Sequence, residues 1–406
     1  MKTRPFKIPK ETVWSAWLYV RANQGSAGVD AVSIEAYEKD LSNNLYKLWA
    51  RMSSGSYVPP PVLLVEIPKK GGGKRPLGIP TVSDRIAQKV VKQALEPAID
   101  KVFYEESYGY RPGKSASDAV KACRARCWKY NWVIDLDIKG FFDNIPHDLL
   151  MKAVEKHTDC KWHLLYIKRW LEAPLERRDG TQIERPKGTP QGAVISPLRA
   201  NLFLHYCMDS WLKRNYPQCP FERYADDAVI HCKTEAEAHE LKEALSKRLE
   251  ECGLQMHPEK TKIVYCKDDY RKDDYPNTKF DFLGYGFQTR GAKNRKGKLF
   301  TGFLPAISDK ASNAIKDKIR ECKTLNSGNS ELPDIARELN PKLRGWINYY
   351  GKFYKSKLDH TLTTATFRLA RWAQKKYKKL HKKFKRALEW VWVIQKSQPR
   401  LLAHWT

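Results

Sequence analysis

Two adjacent carboxylates, Asp226 and Asp227, lie in the segment Phe221-Glu222-Arg223-Tyr224-Ala225-Asp226-Asp227-Ala228-Val229-Ile230-His231, which reads as a tight turn between two strand-like runs. A second acidic stretch lies upstream, in the strand-like run from Trp132 to Asp137. Three carboxylates converging on a turn and a strand end can hold two Mg²⁺ ions roughly 3.5–4 Å apart, an arrangement that activates a hydroxyl nucleophile and stabilises departing pyrophosphate in one in-line displacement. Alternation from Val133 to Ile138 sends Asp135 and Asp137 to one face and Ile134, Leu136 and Ile138 to the other. One of these two acids should therefore meet the turn acids. A Tyr-x-Asp-Asp string could also be a plain solvated turn, but the flanking strands and the upstream acid favour the metal site.

The elements that must position these groups follow from periodicity. Glu11 to Met52 has apolar residues at three- and four-residue spacing, interrupted at Gly25 to Gly28, and reads as a helical cap. Val62 to Pro68 reads as a strand that turns through Gly71-Gly72-Gly73 into Arg75 to Pro80, and Asp84 to Ile99 returns to a helix. The middle of the chain alternates a strand at 132–138, helices near 146–156 and 162–172, a hairpin around Gly180, a long helix from Ser196, the Asp226-Asp227 hairpin, a helix at 235–252 and a strand at 262–266. Helices interleaved with antiparallel strands predict an α+β sheet covered on one face.

Charge indicates the partner. The 406 residues hold 74 Lys and Arg against 46 Asp and Glu, a formal charge of +28, with 12% aromatic residues. A field of that size with many stacking rings points to a polyanion with exposed bases. From Gly291 onward, 27 Lys and Arg face 8 Asp and Glu, so this last, mostly helical part reads as a separate basic domain. The nine cysteines form no CxxC pair and no zinc-finger spacing, which fits reduced thiols in a cytosol. No run approaches the roughly 18 apolar residues of a membrane span, and the basic amino terminus lacks an apolar core segment. A cytoplasmic protein with no membrane partner is expected.

Four segments, Asp137-Ile138-Lys139-Gly140-Phe141-Phe142-Asp143-Asn144-Ile145, Gly188-Thr189-Pro190-Gln191-Gly192, Tyr224-Ala225-Asp226-Asp227 and Phe282-Leu283-Gly284-Tyr285, occur in this order. Together they resemble the group II intron reverse transcriptase/maturases, over about Ala27 to Tyr354. The resemblance implies a right-hand polymerase fold with fingers, an RRM-like antiparallel palm and a helical thumb/maturase domain. It implies domains at 1–110 (N-terminal extension and fingers), 111–290 (palm with finger insertions), 291–370 (thumb/maturase) and 371–406 (basic nucleic-acid-binding segment). It carries the metal role onto Asp137, Ile138, Asp226 and Asp227 with two Mg²⁺, for which Mn²⁺ could substitute, and makes Asp135 the lesser candidate. Implied partners are an RNA template with a DNA or RNA primer, dNTPs and group II intron RNA, with the protein a monomer or homodimer.

The remaining candidates attach to that frame. Phe142, five residues past Asp137, occupies the place of the family's steric gate against a 2′ hydroxyl, and Ile138 joins it at the nucleotide. Lys69 and Arg75 flank the glycine turn of the first hairpin, where two cations can approach one triphosphate; the spacing is not that of a Walker loop. The resemblance places both on the incoming nucleotide. Gln191 lies in a Gly/Pro loop that should present it to the nascent base pair, and Ser196-Pro197 reads as an N-cap followed by Pro at the first helical position. Lys260 is the candidate for the family's lysine acid that protonates pyrophosphate, with Lys262 competing.

In the segment Leu339 to Tyr350, similar to the maturase signature, Trp346 and Tyr350 should pack while Lys342 and Arg344 meet phosphate. A final helix should carry Ala373, Tyr377, Leu380, Phe384, Ala387 and Val391 on one stripe and offer Lys375, Lys378, Lys379 and Lys382 to RNA. No HNH-like cluster follows, so endonuclease activity is not expected. The expected function is an RNA-directed DNA polymerase that copies RNA into cDNA and binds group II intron RNA to promote splicing and retrohoming. The alternatives are a splicing maturase with a vestigial polymerase site, or a related reverse transcriptase used in host defence or repair.

Overall fold

The computed structural model describes residues 6–68, 74–294 and 296–405. The chain forms two compact units, one of Met1–Ser115, Leu136–Ile230 and Ala236–Thr261, the other of Ala116–Asp135, His231–Glu235 and Lys262–Thr406. Both mix helix and sheet, as the alternation of periods predicts.

In the first unit, helix Lys10–Asn23 buries Val13, Ala16, Trp17 and Val20, an i, i+3, i+4, i+7 stripe, and packs on helix Val82–Asp100. Thr81 caps that second helix by accepting from the Asp84 amide at 3.2 Å. Asp84 is fully buried and accepts from Tyr57 Oη (2.9 Å), Trp170 Nε1 (2.6 Å) and Gln88 Nε2 (2.9 Å), which ties three segments to one carboxylate. Burial nevertheless pushes that carboxyl up to about 6 against the pull of its three donors.

Strand Val62–Pro68 pairs antiparallel with Lys74–Ile79, from Leu63 opposite Ile79 to Pro68 opposite Lys74, and parallel with the short strand Leu175–Glu176. Lys69 and the Gly71–Gly73 turn lie outside the described residues. Helix Glu235–Glu251 buries Ala238, Leu241, Leu245 and Leu249. The long helix expected from Ser196 is three segments: α-helix Ser196–Leu204, a π-helical stretch His205–Asp209, and α-helix Ser210–Asn215.

Ser196 is not an N-cap. Ile195 takes that place with no side-chain cap, and Pro197 is within the first turn. The Ser196 hydroxyl is spent elsewhere, 2.7 Å from Thr189 Oγ1 and 3.2 Å from Arg199 Nη2, because the buried Arg199 guanidinium needs acceptors.

In the second unit, strand Trp132–Leu136 pairs antiparallel with Lys262–Tyr265, which puts Asp135 opposite Lys262. The strand ends at Leu136, one residue short of Asp137, so the two acids do not share a regular strand face as alternation predicts. Strands Lys279–Phe282, Tyr285–Lys293 and Leu299–Ile307 form a three-stranded sheet. The middle strand runs through residues 290 and 291, where the sequence places a domain boundary. Leu283 (φ +51°) and Gly284 (φ +79°) turn the first two strands, the double positive φ of a type I′ hairpin. A Cβ at Gly284 would lie 2.8 Å from Tyr350 Oη, so this glycine also admits the tyrosine.

Helices Asp309–Arg320, Leu332–Tyr350, Lys355–Lys376 and Phe384–Ser397 close around Ile315, Ile319, Leu339, Leu343, Leu362, Leu369, Trp372 and Val391. Trp346 and Tyr350 pack against this core, as expected. The single final helix does not form. The chain leaves the helix at Lys376, makes a 3₁₀ turn at Lys378–Leu380 and reverses through Lys382 at φ +57° into Phe384–Ser397. Continuing the helix would stack Lys375, Lys378, Lys379, Lys382 and Lys383 at repelling i, i+3 and i, i+4 spacings. Reversal instead brings Trp390 to 5.2 Å from Tyr377 and 6.4 Å from Trp372. No helix among the described residues is long and apolar enough to cross a membrane.

Candidate active site

Asp137 is fixed by its backbone. Its amide donates to Thr261 Oγ1 (3.2 Å), the same hydroxyl donates to its carbonyl (3.2 Å), and the His257 amide donates to that carbonyl at 2.8 Å. The next residue, Ile138, bridges to Met256, and its side chain is buried, so only its backbone carbonyl could meet a metal or nucleotide. The Asp137 side chain is 38% exposed, and Lys260 Nζ stands 3.5 Å from its Oδ2. Lys260 thus reaches the acid cluster, while its competitor Lys262 is paired in a strand opposite Asp135.

The turn acids sit on a two-residue hairpin. Tyr224 pairs with Asp227 across it, leaving Ala225 and Asp226 as the loop. Ala225 has φ +58° and Asp226 does not have positive φ, which matches a type II′ turn with alanine where glycine is usual. Gly109 packs so closely that a Cβ there would fall 2.4 Å from the Ala225 nitrogen and 2.9 Å from the Tyr224 carbonyl carbon. Gly109→Ala is therefore expected to displace the turn. Those neighbours are backbone and cannot swing away, so a melting experiment should show a loss of about 1–3 kcal/mol with any catalytic rate falling further.

Asp227 is exposed and Asp226 half-buried. Burial raises the Asp226 carboxyl above the ordinary aspartate range, its own backbone and Arg75 pull it down, and the negative charge of Asp137 pushes it up again. The charge of Asp137 therefore opposes ionisation of Asp226. A cation bound between them would relieve this, and the all-oxygen donor set suits a hard divalent ion.

Among the described nucleotide candidates, Arg75 bears on the charge of Asp226 and is linked to Gln191. Arg75 Nε donates to Gln191 Oε1 at 2.6 Å, and the Gly78 amide donates to the Gln191 carbonyl at 2.8 Å. The first hairpin is thereby fastened to the loop. That loop is in turn zipped to the segment after Asp137: the Thr189 amide donates to the Phe142 carbonyl (2.7 Å) and the Gly188 amide to the Ile145 carbonyl (2.8 Å). Phe142 is half-buried, its ring edge-on to Phe141 at 5.1 Å.

In the second unit, Lys342 is exposed and has a partner on its own helix. It pairs with Glu338 at 3.4 Å, one turn away on the same helix, although an exposed pair of this kind is worth only about 0.3–0.5 kcal/mol and yields readily. Arg344, Lys375, Lys378, Lys379 and Lys382 are exposed, whereas Lys376 donates to the Ser330 carbonyl at 2.6 Å.

Sequence reasoning passed over a buried network under the turn. Arg223, fully buried, donates to both oxygens of Asp209 (2.8 and 2.6 Å), to Asn201 Oδ1 (2.8 Å), to Ser107 Oγ (2.9 Å) and to the Ala225 carbonyl (2.9 Å). The signal was present: Arg223 shares a strand face with Phe221, and an arginine at an inward position demands partners.

Comparison with known proteins gives the family. Residues 67–287 match the family model for reverse transcriptase (RNA-dependent DNA polymerase), and residues 312–392 match the group II intron, maturase-specific domain. The chain is 31% identical over 282 residues to protein YkfC of Escherichia coli, covering 60% of this chain and 73% of that protein. It is 34% identical over 190 residues to the group II intron-encoded protein LtrA of Lactococcus lactis, covering 46% of this chain but 31% of LtrA. A telomerase structure from Candida albicans, in complex with a TWJ fragment of telomeric RNA, is similar at a TM-score of 0.48 and 15% identity, covering 90% of this chain and 66% of that one. The match over residues 67–287 takes in all three candidate metal-binding aspartates, and the chain belongs to the reverse transcriptase family, with a group II intron maturase domain following the polymerase region.

Proposed function

We propose that this chain copies RNA into cDNA by nucleotidyl transfer from dNTPs to a primer 3′ hydroxyl, and binds group II intron RNA to promote splicing and retrohoming. Divalent-metal dependence belongs to the reverse transcriptase domain generally; the finer reading is two Mg²⁺ held by Asp137, Asp226 and Asp227, with the Ile138 carbonyl beside them. Bound there, the ions would lower the pKa of the attacking hydroxyl and neutralise charge on the leaving pyrophosphate. The new bond joins the primer oxygen to the α-phosphorus as the bond to the bridging oxygen of pyrophosphate breaks.

The chain's own part is positioning and electrostatics. Arg75, with Lys69, holds the triphosphate; the Arg75 bond to Gln191 yields or is shared when a base pair docks. Phe142 crowds the sugar's 2′ position, and Lys260, already beside Asp137, is placed to give a proton to pyrophosphate. The helical part of the second unit acts as thumb and maturase surface. The observation that carries the reading is Asp226, held at the tip of a tight turn where Asp137 bears on its charge.

The test is primer extension on an RNA template with purified protein, dNTPs and Mg²⁺. Templated cDNA is the expected product; intron RNA binding with no incorporation would mark a maturase with a vestigial site.

Lys375, Lys378, Lys379 and Lys382 surround the chain reversal and are proposed to bind phosphates. Replacing all four with alanine should weaken RNA binding across sequences. The slope of log K against log salt should fall by about 1 for each phosphate no longer neutralised, read by filter binding from low to high salt.

A further inference from the structure

Arg223 is buried with its charge paired, yet a buried ion pair is commonly no more stabilising than well-packed apolar residues of the same volume. Its five hydrogen bonds use all five guanidinium donors, and their destinations are informative. Asp209 takes two in a fork, on the π-helical stretch His205–Asp209, and π-helical turns concentrate at functional sites. One goes to the Ala225 carbonyl, in the peptide that links Ala225 to Asp226. The orientation of that peptide plane fixes where the Asp226 Cα–Cβ bond points. The same alanine is held at φ +58°, a conformation strained for an L-residue that persists only when its surroundings enforce it.

Asn201 completes the arrangement. Its Oδ1 accepts from Arg223 while its Nδ2 donates to the Gly109 carbonyl at 2.6 Å, and Gly109 is the residue packed against the Ala225 nitrogen. Both sides of the strained turn are therefore tied to one amide side chain.

We propose that Arg223, held by Asp209 and Asn201, is a positioning residue that sets the Ala225-Asp226 turn and thereby the affinity of the site for divalent cations. This rests on the polymerase reading of that site. Arg223 touches no substrate and acts through the turn. Lysine would keep the charge beside Asp209, but its three donors radiate from one atom and cannot fork onto Asp209 while also reaching Asn201 and the Ala225 carbonyl.

The test compares wild type with Arg223→Lys and Asn201→Ala, using Tyr166→Phe as a comparator. Tyr166 Oη donates to the Met52 carbonyl at 2.6 Å, away from the turn, so its loss destabilises the fold without touching the network. Two quantities are read in full-length protein: the Mg²⁺ concentration for half-maximal cDNA synthesis, and Mn²⁺ binding by electron paramagnetic resonance in a stalled complex with a 3′-deoxy-terminated primer and dNTP.

Both network variants should raise the half-saturating Mg²⁺ and weaken Mn²⁺ binding by about 10–100-fold, with much of the rate restored at high metal. Tyr166→Phe should lower the melting temperature with neither change. Unaltered Mn²⁺ binding in folded Asn201→Ala protein would overturn the proposal, as would an equal shift in Tyr166→Phe. If Arg223→Lys does not fold, Asn201→Ala decides alone, because it leaves the ion pair intact. A wild-type protein that makes no cDNA would sink the polymerase reading, whereas the Mn²⁺ comparison would still decide the role of Arg223.

Discussion

Replacing Asp226 with alanine is expected to lower the rate of cDNA synthesis by roughly 10³-fold or more, about 4 kcal/mol of transition-state stabilisation, while leaving RNA binding unchanged. The size follows from where the carboxylate sits. Asp226 is half-buried on a turn whose backbone is fixed from both sides, so the fold sets where its carboxylate is presented. Asp137 is likewise held through its backbone by Thr261 and His257. RNA binding should survive because the exposed lysines of the chain reversal lie in the other unit. Single-turnover extension beside a filter-binding measurement separates the two effects. Wild-type-like synthesis by the variant would remove Asp226 from the chemistry.

The largest expected effect on stability comes from Asp209→Ala. Asp209 and Arg223 are both 0% exposed, and removing the carboxylate strands a guanidinium in the core with two of its five bonds gone. Breaking a buried pair from one side costs about 3–5 kcal/mol, enough to unfold much of a marginally stable protein, and denaturant melting would measure it. Removing both charges with apolar residues of matched volume should cost much less in stability. Any polymerase activity should still fall, since the turn would lose its carbonyl anchor.

Much of the architecture could be read from the chain. The strand Val62–Pro68, the helix over 82–100 and the hairpin around Asp226 follow from period and turn chemistry, because each is decided by residues adjacent in sequence. The four ordered motifs supplied the polymerase family, which the match over residues 67–287 bears out. What stayed hidden depends on distant partners. Arg223 finds Asp209, Asn201 and Ser107 at separations of 14, 22 and 116 residues, and no local pattern encodes that meeting. Ser196 looked like a cap because its neighbour is proline, yet a buried arginine claims its hydroxyl. The carboxy-terminal helix looked continuous because its apolar residues keep helical spacing across the break; the reversal is decided by packing of Trp390 on Tyr377 and Trp372.

The wide turn between His205 and Asp209 makes this stretch intolerant of a change in length. An α-helix advances about 100° per residue and a π-helical turn takes up one residue more, so removing a residue here would restore ordinary winding while re-aiming the side chains within the stretch itself. Asp209 would then face away from the guanidinium it now grips, although every residue type in the network would survive. Working descendants of this gene should accept substitutions along the outer surface of that helix while refusing a single-codon deletion within it.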